Sequence, residues 1–241
     1  MALKVFVDFD GTITKHDVGN AFFREFGGPV CQGIVKEYKD EKISAHECFR
    51  REVAAIGTLS LQKAVAFLRD QPIDESFKVL VLFCQRHRID LHIVSDGLDF
   101  YIREILSSHG LSGVPFFSNN LALEETAVRG EFTLGIGFPY SDAECTRCAC
   151  CKRNIMLTHA GEDDTIVLVG EGYSDRCPAR YADIVFAKDE LQTFCQRENI
   201  SYIPYTSLAD VAHRLDRLLS RKNIRKPRRA ALNRREVFIR E

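Results

Sequence analysis

No apolar run in this chain approaches the length needed to span a bilayer, and the opening residues, MALKVFVDFDG, meet charge too early to form a secretory signal core. A cytoplasmic protein with no membrane partner is therefore expected. Net charge is nearly absent as well, since 33 Lys and Arg against 34 Asp and Glu leave −1. Such a balance gives no general argument for a nucleic-acid or membrane surface. The nine cysteines are odd in number and follow no signal sequence, which argues against a disulfide framework and for reduced thiols or metal ligands. No internal repeat or low-complexity tract interrupts the chain before its basic tail.

What is present is an ordinary globular composition, 45% apolar and 28% charged, in 241 residues. That length accommodates one large domain with a smaller insertion. Charge is unevenly placed: residues 214–241 hold eleven basic and three acidic side chains, a net +8, which leaves about −9 on the rest. The tail, SRKNIRKPRRAALNRREVFIRE, reads as a solvated extension. An arm for RNA, acidic lipid or an acidic partner is the alternative. With no aromatic residue beyond Phe238, stacking on bases has little support and nucleic acid is not the expected partner, although the basic tail leaves it open.

Four short runs rich in Val, Ile and Phe stand out: KVFVDF (4–9), LHIVSD (91–96), TIVLVGE (165–171) and ADIVFA (182–187). Amphipathic stretches separate them, the pattern of a buried parallel sheet with crossover helices. The fold class is α/β, a Rossmann-like parallel core with helices on both faces. DESFKVLVLFCQRHR starts near an Asp74 cap, LDFYIREILSSHG stops at Gly110, and SLADVAHRLDRLL places Leu208, Val211, Ala212, Leu215 and Leu219 on one face. LALEETAVRGEFTLGIG reads as strands around a Val128-Arg129-Gly130 turn. Residues 15–72 contain helical pieces but no convincing strand, so a helical cap is expected there, with the core at 1–14 and 73–220 and the basic tail at 221–241.

The chemistry gathers where the strands end. In VFVDFDGTIT, Asp8 and Asp10 project to the same side of an extended chain, because side chains alternate with period 2. Two carboxylates that close repel, which calls for a cation or an acid/base task. The clusters DFDG, SDG and GEG all fall at the carboxyl ends of expected parallel strands, where open α/β sheets bind ligands.

In order and context, DFDGTIT, SDG with Ser95, Lys152 and GEGYSD resemble the four motifs of the haloacid dehalogenase superfamily, over residues 3 to about 220. The insertion after the first motif is similar to that of the phosphoserine phosphatase-like subgroup. The likeness is strongest to the methionine-salvage 2-hydroxy-3-keto-5-methylthiopentenyl-1-phosphate phosphatase group, which also carries a cysteine-rich run before the motif lysine, here CTRCACCKR. The resemblance implies that Asp8 is a nucleophile forming an aspartyl-phosphate, and that Asp10 is the general acid and then the base. It implies Mg²⁺ held by Asp8, the Asp10 carbonyl and Glu171, with Asp175 as a further ligand or a support. Ser95 and Lys152 would hold phosphate oxygens, helped by Thr12 and by amides near Gly11 and Gly97. Plain readings stand beside these: Ser95 as a helix cap, Lys152 as a solvated lysine, Thr12 as a turn-closing hydroxyl.

Glu171 departs from the family, which usually has aspartate there; the extra methylene shifts a ligand in a geometry-sensitive site. In phosphoserine phosphatases an acid after the first motif meets the substrate amine and a cap arginine meets its carboxylate. Asp17 stands at the first place, and the second falls on Glu52, with Arg51 one residue off and Arg50 beside it. Cys145, Cys148, Cys150 and Cys151 can be read as a Zn²⁺ site completed by His159 and Cys177, or as reduced thiols beside the active site. The expectation is a Mg²⁺-dependent phosphomonoesterase for a small phosphorylated metabolite. Its alternatives are a phosphoserine or amino-alcohol phosphatase and a non-catalytic metal or redox binding protein.

Overall fold

A computed structural model describes residues 2–145, 147–220 and 228–239. Strand β1 (Leu3–Val7) sits in the middle of the sheet. Its alternation explains the layering: Val5 and Val7 pack into one core cluster and Phe6 into the other, so both faces of the strand are covered. All three side chains are fully buried. Each contributes about 1.5–3 kcal/mol by leaving water.

After β1 the chain turns at Gly11, whose φ of +72° is a conformation that glycine adopts without strain. It leaves the sheet at Thr14, which is bridged to Ile73 where the chain returns. Between them lie α1 (Val18–Gly27), α2 (Val30–Lys39), α3 (Ala45–Ile56), the short strand β2 (Thr58–Ser60) and α4 (Leu61–Arg69). Asp17 and Ser44 cap α1 and α3 by accepting from Asn20 N and Glu47 N.

The chain then runs through α5 (Phe77–His87), β3 (Asp90–Leu98), α6 (Asp99–Ser108), β4 (Phe116–Glu125), β5 (Glu131–Gly137), α7 (Lys152–His159) and β6 (Thr165–Gly170). It ends with β7 (Ile184–Ala187), α8 (Asp189–Arg197), β8 (Ile203–Pro204), α9 (Leu208–Ser220) and α10 (Arg228–Ile239). Among the described residues the sheet order is β2-β5-β4-β3-β1-β6-β7-β8. Strands β4, β3, β1, β6, β7 and β8 are parallel, as the apolar runs implied. No described helix is long and apolar enough to cross a membrane.

Two expectations need correction. Residues 15–72 do contain a strand: Thr58–Ser60 pairs antiparallel with Glu131–Thr133. Three residues are too few for an alternation to register, so only pairing with the β4–β5 hairpin reveals them. The basic tail is not simply a solvated extension, because α10 packs on the core. Arg234 donates to the Tyr181 carbonyl and pairs at 2.9 Å with Asp183, whose side chain is wholly buried, and Asn233 donates to the Arg180 carbonyl. Residues 221–227, 240 and 241 lie outside the described residues.

Candidate active site

The carboxyl ends of β1, β3 and β6 place the acid-bearing clusters around one cavity of about 280 Å³, lined among others by Asp8, Asp10, Asp17, Asp96, Tyr101 and Glu171. Asp8 continues the strand pairing, its amide donating to Val169 O at 2.9 Å, so its carboxylate is set by the sheet itself. Lys152, at the first turn of α7, sends its ammonium between two acids: 2.6 Å to Asp8 Oδ1 and 2.7 Å to Asp175 Oδ1. Both partners and the lysine are buried. Burial works against the lysine's charge, yet Asp175 and Asp8 hold its pKa above the usual range. Asp8 is itself pushed upward, by burial and then by Asp175, with Lys152 opposing.

Asp10 is held differently. Its Oδ1 accepts from Val18 N and Gly19 N, the first amides of α1, at 3.0 and 3.1 Å. Its Oδ2 accepts from Tyr101 OH at 2.9 Å and, more loosely, from Ser95 Oγ at 3.4 Å. Burial, then Asp17, pushes Asp10 up to about 7. A carboxyl in that range can both give and take a proton near neutrality. Thr12 closes the turn by donating to Asp8 Oδ2, and Ser95 Oγ accepts from Gly97 N.

The fourth cluster is organised by Asp175, whose Oδ2 accepts from Glu171 N and Gly172 N while Oδ1 takes Lys152. Its oxygens are thus engaged in fixing the loop and the lysine. Glu171 is free to turn inward, and its carboxylate lies over Gly11: a Cβ on Gly11 would meet Oε1 at 2.8 Å. Burial, then Asp175, pushes Glu171 up to about 7. The site therefore gathers Asp8, Asp10, Glu171 and Asp175, with the Lys152 ammonium bridging Asp8 and Asp175. Among the described residues no three His, Cys, Asp or Glu side chains form a ready cage for an ion. Magnesium does not require one, since it is held by one or two carboxylates together with waters and substrate phosphate. The hard oxygen donors and surplus negative charge fit that ion.

The cysteine run does not assemble as one ligand set. Cys150 is fully buried in the second core cluster with Phe6 and Val94, because adjacent residues point to different sides. Cys145 and Cys148 stand 3.9 Å apart, and contact with Cys148 lowers Cys151 to about 7 although burial opposes it. Zinc thus finds no support here. Arg51, the candidate partner of a substrate carboxylate, does not enter the cavity: it is exposed and pairs with Glu47 and Glu37. One residue along a helix is a rotation of about 100°, and it is Glu52, buried, that lines the cavity.

Residues passed over in the sequence also enter the site. Asp96 Oδ1 accepts from Ala149 N and Cys150 N, which docks the loop before Lys152 onto the end of β3; burial pushes this acid up to about 6. Its place inside SDG was an available signal. Tyr38 donates to Arg147 O and so ties α2 to the same loop. Tyr101 sits in an apolar helical stripe, where nothing in the sequence separates it from core.

Glu52 provides a test of the cavity's electrostatics. Burial, then the charge of Asp17, pushes it up to about 8, against a contact from Cys48. A carboxyl with a folded-state pKa above its unfolded value near 4.3 binds more protons when folded. Its contribution to stability is therefore full at acid pH and lost as pH rises towards 8. Glu52→Gln is expected to melt with the parent at pH 4 and clearly above it at pH 9, by differential scanning calorimetry. Parallel melting curves at both pH values would refute the assignment.

Parallel sheet, strand-end acids and a buried lysine bridging two of them together define a phosphatase of the haloacid dehalogenase class. The chain belongs to the family described as "Putative Phosphatase", whose model matches residues 3–202, and it is a phosphoric monoester hydrolase. It is 31% identical over 219 residues to the 2-hydroxy-3-keto-5-methylthiopentenyl-1-phosphate phosphatase of Exiguobacterium sibiricum, covering 89% of this chain and 97% of that protein. Its identity to the phosphatase of the same name from Lysinibacillus sphaericus is 30% over 212 residues, covering 86% and 90%. Among solved structures it is similar to a phospho-aspartyl intermediate analogue of phosphoserine phosphatase, with TM-score 0.65 and 19% identity over 88% of this chain and 98% of that one. A substrate-bound phosphoserine phosphatase superposes equally well, with TM-score 0.65 and 21% identity over 88% and 97%. At these identities the structural likeness concerns the fold.

Proposed function

We infer that the chain hydrolyses a small phosphate ester of the methionine-salvage kind, the 2-hydroxy-3-keto-5-methylthiopentenyl-1-phosphate named by its relatives. The observation that carries the chemistry is the buried Asp8–Lys152–Asp175 bridge beside Asp10 at the cavity. Asp8 attacks phosphorus and becomes the aspartyl-phosphate, while Asp10 protonates the departing oxygen and afterwards takes a proton from the attacking water. Lys152, kept cationic by its two acids, and Ser95 hold phosphate oxygens where negative charge is concentrated. Asp175 keeps the lysine and the Glu171 loop in place. Asp8, the Asp10 carbonyl and Glu171 would hold magnesium, which would supply further neutralisation of the phosphoryl oxygens.

The cavity supports a substrate without a carboxylate. Among the described residues no arginine lines it; Lys39 is the cation the cap contributes, Arg51 is turned to solvent, and Glu52 lines the cavity with Phe23 and Phe49. An amino-alcohol phosphate is the second reading, favoured by Asp17 and Glu52 lining one cavity. The binding-protein alternative loses its basis with membership of the phosphatase family.

A panel of small phosphate esters with the magnesium-loaded protein decides between them. The expected result is a kcat/KM for the methionine-salvage enol phosphate at least about 100-fold above that for phosphoserine. Preference for phosphoserine would overturn the substrate reading, and preference for an amino-alcohol phosphate would favour the second.

A further inference from the structure

We propose that Tyr101 is a positioning residue for the general acid, fixing which oxygen of Asp10 carries the proton to the leaving group. This rests on the reading of Asp10 as that acid. The two oxygens of Asp10 have unequal surroundings. Oδ1 is held by the two amides at the start of α1, at 3.0 and 3.1 Å, fixed donors that keep an oxygen unprotonated, whereas the hydroxyls on Oδ2 can turn to accept as well as donate. The transferable proton therefore belongs on Oδ2. There the short contact is the Tyr101 hydroxyl at 2.9 Å, while Ser95 stands at 3.4 Å.

The fold is cut to fit that hydroxyl. Tyr101 is 1% exposed, and its ring stacks on Phe9 at 6.2 Å and lies against Phe22 at 6.4 Å. Around the oxygen two side chains are missing. A Cβ on Gly97 would overlap the hydroxyl, and one on Gly19 would come within 3.0 Å of it. Two glycines from separate segments thus open the space through which a helix residue reaches the acid. A buried tyrosine hydroxyl must find a partner, and its partner here is the oxygen that has to donate.

In the first step the proton passes from Oδ2 to the leaving oxygen as the P–O bond breaks, and in the second a water proton returns to Oδ2. Tyr101 keeps its hydroxyl on Oδ2 throughout and gives up no proton. Its loss leaves Oδ2 with only the longer Ser95 contact, so the carboxyl keeps its anchor at Oδ1 but Oδ2 is no longer aimed at the leaving oxygen. The defect falls on departure of the leaving group rather than on phosphate binding.

The test is Tyr101→Phe, which keeps the ring and removes one oxygen. kcat/KM, which reports the step in which the leaving group departs, is measured for 4-nitrophenyl phosphate, whose leaving group needs little protonation, and for benzyl phosphate, whose alkoxide needs it. The expected loss is about 10- to 100-fold for benzyl phosphate and at most about 3-fold for 4-nitrophenyl phosphate, a fraction of the usual worth of a general acid. The inhibition constant for inorganic phosphate is expected to stay within about 2-fold. Equal losses on both esters, or weakened phosphate binding that accounts for the loss, would overturn the proposal. Asp10→Asn in the same series separates the two levels. If it steepens the leaving-group dependence and Tyr101→Phe does not, only the role of Tyr101 fails; if Asp10→Asn leaves the dependence flat, the reading of Asp10 as the acid fails, and this inference with it.

Discussion

Asp8→Asn is expected to reduce phosphate release by about 10⁴-fold or more and, at the same time, to raise the melting temperature of the metal-free protein at neutral pH. The first effect follows from chemistry, since an amide cannot take the phosphoryl group and loss of a nucleophile removes the whole two-step route. The second follows from burial. Asp8 is 5% exposed, and its pKa is raised by burial and then by Asp175, with Lys152 opposing. A carboxyl raised in this way contributes stability below its unfolded pKa and loses it as pH climbs, so at neutral pH its charge burdens the fold. Asparagine keeps the shape and drops the charge, while Lys152 retains Asp175 at 2.7 Å. Site residues chosen for reactivity commonly carry this cost. Measured together by phosphate release and calorimetry, residual activity near one per cent of the parent, or a lower melting temperature, would contradict the reading of Asp8.

Lys152→Met is expected to act in the opposite direction on stability and in the same direction on rate. The ammonium is 1% exposed and bridges Asp8 and Asp175, both buried. Removing it leaves two neighbouring carboxylates without a cation, and breaking a buried pair from one side costs about 3–5 kcal/mol. For a chain of this length that lowers the melting temperature by roughly 6–20 °C. It also loosens the Glu171 loop, because the same Asp175 accepts from Glu171 N and Gly172 N. Added magnesium is expected to recover part of the lost stability by supplying the missing charge. Activity is expected to fall by about 10³-fold, as when an electrostatic stabiliser of the transition state is lost. A variant that melts with the parent would show that the bridge is not a structural element.

The amino-acid order by itself determined the parallel core and the chemical character of the site. Val5, Phe6 and Val7 announce a strand covered on both faces because such a strand tolerates no polar position, and that signal is local. DFDG, SDG and GEG were legible for the same reason: each lies within a few residues of its own strand, so the strand end carries its acid to the common edge. The short strand Thr58–Ser60 and the docking of the basic helix around Arg234 were not legible, because their partners, Glu131–Thr133 and Asp183, are far away in the chain. The same limit applies inside the site. Only the tertiary structure decided that Glu52 faces the cavity and Arg51 the solvent, that Cys150 leaves the cysteine cluster for the core, and that Asp175 holds Lys152. It also brought the Tyr101 hydroxyl to Asp10 through a gap left by Gly19 and Gly97. Residue types and their periodicity specify which elements form and what chemistry they carry; which side chains meet depends on helix rotation and long-range packing, and no short stretch of sequence contains either.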